Sequence, residues 1–263
     1  MAEPVVVITG STKGIGFGMA RAFLSHDCRV VVCGRDPGRV EQAVTSLASQ
    51  APRECILGQP CDVGDPAQVQ DLWDAATRHF GVVDIWINNA ALNSIEQDFW
   101  QHDPQTIQAV IQTNLLGTMY GSRVAARGMT AQGHGRIYAL EGWGSSNERR
   151  RGSTLYGTSK AAIRYFARSL TAELRATPVG FGTINPGVVA TDLLALSTRP
   201  GQGDKVKRFL NILGDRVETV APALAERVLA DRRHGSRIVW LTPWRILGRL
   251  LKAPFRKRRV TTD

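Results

Sequence analysis

The segment that most constrains this chain is Val5-Val6-Val7-Ile8-Thr9-Gly10-Ser11-Thr12-Lys13-Gly14-Ile15-Gly16, an apolar β-branched run that ends in a glycine turn with a helical pattern directly behind it. Glycine in such a turn has three uses: a tight bend, close approach of backbone to a bound pyrophosphate, and tight packing of helix on strand. The start of the following helix offers N–H groups and positive potential to phosphate. A glycine cluster alone is weak evidence, so the rest of the chain must repeat the strand-turn-helix unit.

It does. Apolar runs near 4–9, 28–33, 54–58, 82–87, 135–140, 179–185 and 236–241 read as strands. Between them, helical periods fall near 14–26, 37–50, 66–80, 104–130, 154–176 and 217–231. The strands are continuously apolar (VVVIT, RVVVC, VVDIWI), as expected when helices cover both faces of a parallel sheet. With 263 residues and no linker or repeat, the expected fold class is α/β, a single Rossmann-type doubly wound domain over residues 1–243 with about seven parallel strands. Residues 188–215, which contain Arg199-Pro200-Gly201-Gln202-Gly203, read as an irregular loop beyond the carboxyl ends of the strands, where ligands bind in such sheets.

Charge sets the tail apart. From Pro243 to Asp263 there are seven Arg or Lys against one Asp, a net +6 of the chain's +10. In Trp244-Arg245-Ile246-Leu247-Gly248-Arg249-Leu250-Leu251-Lys252, apolar and basic residues take opposite sides at helical spacing. Residues 244–263 thus form a basic, amphipathic tail. Residues 244–259 suit a membrane interface, and equally a helix packed on the body or across a subunit interface. Nothing beyond charge speaks for nucleic acid, which is not an expected partner. No run approaches the ~18 apolar residues of a membrane span. The opening Met1-Ala2-Glu3-Pro4 leaves no room for a signal or transit peptide, so a cytoplasmic protein with this one membrane option is expected. Cys28, Cys33, Cys55 and Cys61 lack C-x-x-C pairing and read as reduced thiols; no metal site is expected.

Tyr156 and Lys160 stand four apart at the start of a helical pattern, which stacks them on one face. A phenol is a poor acid-base group near neutrality unless a cation favours its anion. Lys160 supplies that cation, and Tyr156 can then exchange a proton with a carbonyl oxygen.

The spacing Thr9-Gly10-x-x-x-Gly14-x-Gly16 together with Tyr156-x-x-x-Lys160 resembles the short-chain dehydrogenase/reductase family, from about residue 4 to 241. The resemblance implies a nicotinamide cofactor held by Gly10, Ser11, Thr12, Lys13, Gly14, Ile15 and Gly16. It implies adenine contacts from Asp62 and Val63, and further contacts from Asn89 and Ala90 in Asn88-Asn89-Ala90-Ala91, where Ala91 replaces the usual Gly. Pro186, Gly187, Val189 and Thr191 would meet the nicotinamide carboxamide, and Tyr156 and Lys160 its ribose. Asn114 would be the structural, proton-relaying Asn. NADPH is favoured over NADH because Val32-Cys33-Gly34-Arg35 lacks the acidic residue that holds a free ribose 2′-hydroxyl. Arg35 and Lys13 would meet a 2′-phosphate instead, unless both are solvated surface charges. By the same resemblance, homodimers or homotetramers built on the 104–130 and 154–176 helices are expected.

One part of the family pattern is missing. In Gly135-Arg136-Ile137-Tyr138-Ala139-Leu140-Glu141-Gly142-Trp143-Gly144-Ser145-Ser146, Glu141 and Gly142 take the places of the Ser pair that polarises the substrate carbonyl. Ser145 could replace it only if the loop folds back. The same departure resembles the acidic-Gly-x-Gly-Ser segment of the chlorophyll b reductase branch. Asn185 to Leu194, Phe209 to Gly214, Val217 to Ala221 and Trp240 to Leu247 resemble further segments of that branch. The branch implies NADPH-dependent reduction of the 7-formyl group of chlorophyll b or chlorophyllide b to 7-hydroxymethyl, with Glu141, Gly142, Trp143 and Ser145 at the substrate. Two other readings stay open: a reductase of another bulky hydrophobic ketone, aldehyde or alcohol, and a non-catalytic NADP-binding protein. Arg149-Arg150-Arg151 reads as a solvated loop or as a group that meets a substrate carboxylate.

Overall fold

The computed structural model describes residues 3–197, 203–253 and 260. Its strands are β1 (Val5–Ile8), β2 (Arg29–Gly34), β3 (Ile56–Pro60), β4 (Ile85–Asn88), β5 (Gly135–Leu140), β6 (Val179–Asn185) and β7 (Ser236–Val239). They form one sheet of order β3-β2-β1-β4-β5-β6-β7, and every pairing is parallel. All four residues of β1 are buried, because side chains alternate between two covered faces. Val6 and Ile8 join the core under α1 (Gly14–Leu24) and α9 (Val217–Ala230), with Met19, Phe23 and Leu224. Val7 joins the other core, with Trp73, Trp86, Met129 and Phe181.

Four helices start on one two-residue device, a capping side chain followed by proline at the first helical position. Asp36-Pro37 opens α2 (Pro37–Ala48), Asp65-Pro66 opens α3 (Pro66–Phe80) and Asp103-Pro104 opens α4 (Pro104–Ile111). Thr242-Pro243 opens α10 (Pro243–Lys252). In each, the cap oxygen accepts a backbone N–H and proline needs none, an arrangement in which losing the cap costs ~1 kcal/mol.

The single helix expected over 104–130 is divided. A π-helical turn, Gln112–Leu116, separates α4 from α5 (Gly117–Gln132) and carries Asn114. Such turns often mark functional sites. Residues 188–215 are not an irregular loop: they contain α7 (Asp192–Ser197) and α8 (Gly203–Leu213). The Pro-Gly cluster masked a helical pattern at Val206, Phe209, Leu210 and Leu213. Residues 199–202 lie outside the described residues. Between β5 and β6 runs α6 (Thr154–Glu173). No helix among the described residues is long and apolar enough to cross a membrane. Strand order reverses between β1 and β4, which opens a crevice beyond their carboxyl ends.

Candidate active site

A cavity of about 840 Å³ occupies that crevice. Its floor is the β1–α1 turn. Gly10 has φ +63, and a Cβ there would lie 2.7 Å from the Ala90 Cα, so only glycine lets the two turns touch. The turns are stapled by hydrogen bonds. Thr9 Oγ1 accepts the N–H groups of Asn89 and Ala90, both at 3.0 Å, and Asn89 Nδ2 donates to the Thr9 carbonyl at 2.7 Å. Unlike α2, α3 and α4, α1 has no side-chain cap, and its start lines the cavity at Lys13, Gly14, Ile15 and Gly16. Uncapped N–H groups facing a cavity form an anion site. Thr12, Asp62, Val63, Asn89, Ala90 and Thr191 complete the wall.

Arg35 lines the same cavity, together with Arg39 in the first turn of α2. Arg39 was missed in the sequence; its signal was a second arginine in the first turn of the helix expected to follow Arg35. Lys13 Nζ spans the cavity mouth to Asp192 Oδ2 at 3.3 Å, an exposed pair.

Several residues do other work than expected. Ser11 is fully buried; its hydroxyl donates to the Ile8 carbonyl at 2.6 Å and accepts the Cys33 N–H at 3.0 Å. It ties β1 to β2 and does not line the cavity. Val189 is a core residue, bridged to Asp215. Pro186 and Gly187 also stand outside the cavity wall, which at this end is made by Ala190, Thr191, Asp192 and Leu193.

Tyr156 and Lys160 sit on the first turns of α6, at the end of β5. Lys160 is 3% exposed; its Nζ donates to the Leu140 carbonyl at 3.1 Å and stands 5.7 Å from the Tyr156 ring centre. Burial pushes the Tyr156 phenol up to about 12. Burial lowers the Lys160 ammonium to about 8, against the opposing charge of Glu141. Lys160 does not offset the rise at Tyr156, contrary to the expected lowering, so the phenol is protonated at neutral pH, the form that gives a proton to a carbonyl oxygen. Asn114 connects this pair to the cavity. Fully buried in the π turn, it accepts the Leu92 N–H at 2.7 Å and donates to Ser159 Oγ at 3.0 Å, and Ser159 donates to the Tyr156 carbonyl.

The Glu141-Gly142 departure has a clear geometry. A Cβ at Gly142 would lie 2.6 Å from the Tyr156 hydroxyl oxygen, so no side chain fits there without displacing the phenol. Glu141 turns inward and is buried. Its side chain is 1% exposed and pairs with Arg237 of β7 at 2.7 Å and Arg164 of α6 at 3.0 Å. Burial alone would raise its carboxyl, but hydrogen bonds and charge from Arg237 and Arg164 outweigh it and hold the group below the usual carboxylate range. Ser145 is buried and its hydroxyl donates to Glu141 Oε2 at 3.3 Å. Trp143 projects outward, 39% exposed. Arg150 and Arg151 pair with Glu96 at 2.8 Å and Asp98 at 2.7 Å, linking this exposed loop to the one after β4. Among the described residues no cluster of His, Cys, Asp or Glu is placed to hold a metal.

A glycine turn on a parallel sheet and a half-buried Tyr156 beside the buried Lys160 at the end of β5 are joined by a decisive sequence match: the family profile described as short chain dehydrogenase covers residues 4–200. The chain belongs to the short-chain dehydrogenase family. It is 35% identical to a probable chlorophyll(ide) b reductase NYC1, chloroplastic, of Oryza sativa subsp. japonica, over 97% of this chain and 53% of the relative. It is 35% identical to the chlorophyll(ide) b reductase NOL, chloroplastic, of Arabidopsis thaliana, over 88% of this chain and 67% of the relative. The chain thus spans about half the length of the NYC1-type relative. Among solved structures, it resembles a short-chain type dehydrogenase/reductase from Mycobacterium marinum, with a TM-score of 0.78 at 26% identity over 90% of this chain and 93% of that one. The fold is also that of a Brucella melitensis 3-ketoacyl-(acyl-carrier-protein) reductase complexed with NADH, at a TM-score of 0.78 and 22% identity, over 90% of this chain and 96% of that one.

Proposed function

We propose that the protein is an NADPH-dependent reductase of a bulky aromatic aldehyde, the 7-formyl group of chlorophyll b or chlorophyllide b. The observation that carries this reading is the likeness to chlorophyll(ide) b reductases over nearly the whole chain. The cavity fits the cofactor by its donor set: a glycine floor, an uncapped helix start, and a rim where Arg35 stands beside the Arg39–Asp36 and Lys13–Asp192 pairs. Arg35, Arg39 and Lys13 on that rim favour NADPH, since guanidinium groups suit the oxygens of a 2′-phosphate.

When bound, the nicotinamide supplies a hydride to the formyl carbon. Tyr156 gives its hydroxyl proton to the formyl oxygen, and the phenolate left behind is stabilised by the Lys160 ammonium. Asn114 and Ser159 hold the turn of α6 that carries both. Gly142 removes the second hydroxyl donor of the family pattern. An aldehyde accepts hydride more readily than a ketone, so Tyr156 serves as the one donor to its oxygen. Trp143 offers an exposed indole face beside Gly142 for stacking on a flat substrate.

A second reading, a reductase of another bulky carbonyl, is favoured by 30% identity to a 3alpha-hydroxysteroid dehydrogenase of Mediterraneibacter gnavus over 74% of this chain. The test is kcat/KM with NADPH for chlorophyllide b beside a 3-keto steroid and an acyl ketone, following product formation. Chlorophyllide b is expected to exceed the others by at least about 100-fold, the scale on which a shaped site separates substrates. A higher value for either competitor would replace the pigment reading with the second one.

A further inference from the structure

The last described helix, α10, is amphipathic in the reverse sense of a helix packed on a core. Its arginines point into the body. Arg249 donates to the Leu213 carbonyl and to Asp215 Oδ2, both at 2.6 Å, with its side chain 17% exposed. Arg245 lies over the Trp240 ring, 4.0 Å from its centre, and donates to the Trp240 carbonyl at 3.1 Å. The apolar residues face water: Trp244 is 81% exposed, Leu247 47%, Leu250 50% and Leu251 66%. No residue of the helix is buried. With Arg245 and Arg249 spent on anchoring, α10 presents one hydrophobic side, and contiguous exposed patches of this kind mark interaction surfaces.

Size and charge decide what covers it. A stable protein interface needs about 800 Å² and roughly 20–30 residues from each partner. A helix of 10 residues, about 15 Å long, supplies one narrow face. A lipid interface asks less: such a face need sink only about 5–10 Å into the headgroup boundary, and Trp is at home there. The sign of the charge is fixed by sequence, with seven Arg or Lys against one Asp from Pro243 onward. On α10 itself Lys252 is exposed, as is Arg208 on α8, which packs against it. We infer that α10 docks the protein on an anionic lipid surface through Trp244, Leu247, Leu250 and Leu251. This rests on none of the catalytic argument.

The experiment is flotation of the full chain with vesicles of phosphatidylcholine alone or mixed with phosphatidylglycerol. Binding to the mixed vesicles is expected, at least about tenfold stronger than to the neutral ones. The double variant Leu247→Glu/Leu251→Glu is expected to lose at least about tenfold in partitioning, with circular dichroism and NADPH binding unchanged. Brominated lipid should quench tryptophan emission in the wild type, and less in Trp244→Phe, a readout that does not depend on the double variant folding. Wild type that stays with neither vesicle, or a folded double variant that floats as well as wild type, would overturn the proposal. Equal flotation with neutral vesicles would overturn the anionic assignment. A double variant that alters only the sedimenting mass would assign α10 to contact between copies instead.

Discussion

The crevice after β1 is shaped by its backbone, whereas the loop after β5 is shaped by its side chains. In the crevice, Gly10 at φ +63, the uncapped start of α1 and the Asn89 turn leave little freedom, because a backbone that must bend sharply demands glycine at fixed spacing. Beyond β5, Glu141, Ser145 and Arg164 each had more than one partner to choose from. They chose one another. Backbone sites announce themselves in sequence; side-chain sites depend on which neighbour the fold brings near.

The largest effect that would sharpen this contrast is at Tyr156. Tyr156→Phe should lower kcat by at least about 10³-fold, at the upper range for a general acid, with NADPH affinity unchanged by titration. A matching loss of NADPH binding would erase the distinction between the two regions. On the crevice side, Arg35→Ala/Arg39→Ala should weaken NADPH by about 10–100-fold, the loss of charged hydrogen bonds of ~1.5–3 kcal/mol. NADH binding should hardly change, and equal losses for both nucleotides would remove the 2′-phosphate assignment. Gly142→Ser restores the family hydroxyl, yet its Cβ would press on the Tyr156 oxygen. It should lower kcat by about tenfold, the cost of ~1–3 kcal/mol of overpacking. A rise in kcat would mean the site had room for the missing donor.

Glu141 makes the sharpest stability prediction. Its folded carboxyl sits below its ordinary value of 4.5, so it stabilises the protein above that pH and loses the contribution as pH falls through the folded value. Glu141→Gln should cost about 2 kcal/mol at pH 7, less than a fully buried pair because Arg164 and Arg237 are each about one-third exposed. The difference should shrink in acid, as read by urea unfolding. A gap that stays constant between pH 7 and pH 3 would contradict the ion-pair account. Ser11→Ala is the smallest change, about 1 kcal/mol of stability with NADPH affinity intact. A loss of affinity without loss of stability would return Ser11 to the cofactor.

All seven strands were legible because continuous apolar β-branched runs have few other fates in a chain of this length. The π turn at Asn114 was not: nothing in Gln112-Thr113-Asn114-Leu115-Leu116 breaks a helical period, and the extra residue is accommodated by packing against α6. Helices α7 and α8 were hidden by the Pro-Gly cluster between them. Ser11 and Val189 lie inside motifs whose neighbours do line the cavity, and adjacent residues point different ways. The amphipathic pattern of α10 was plain, but which side faces the body was settled by Asp215 and Trp240, partners distant in sequence.

The measurement that tests the central claim most directly uses NADPH carrying deuterium at the transferable position, with chlorophyllide b as substrate and mass spectrometry of the product. The account predicts a 7-hydroxymethyl pigment with a single deuterium on that carbon. Unlabelled product, or an unchanged formyl group in the presence of bound NADPH, would contradict it.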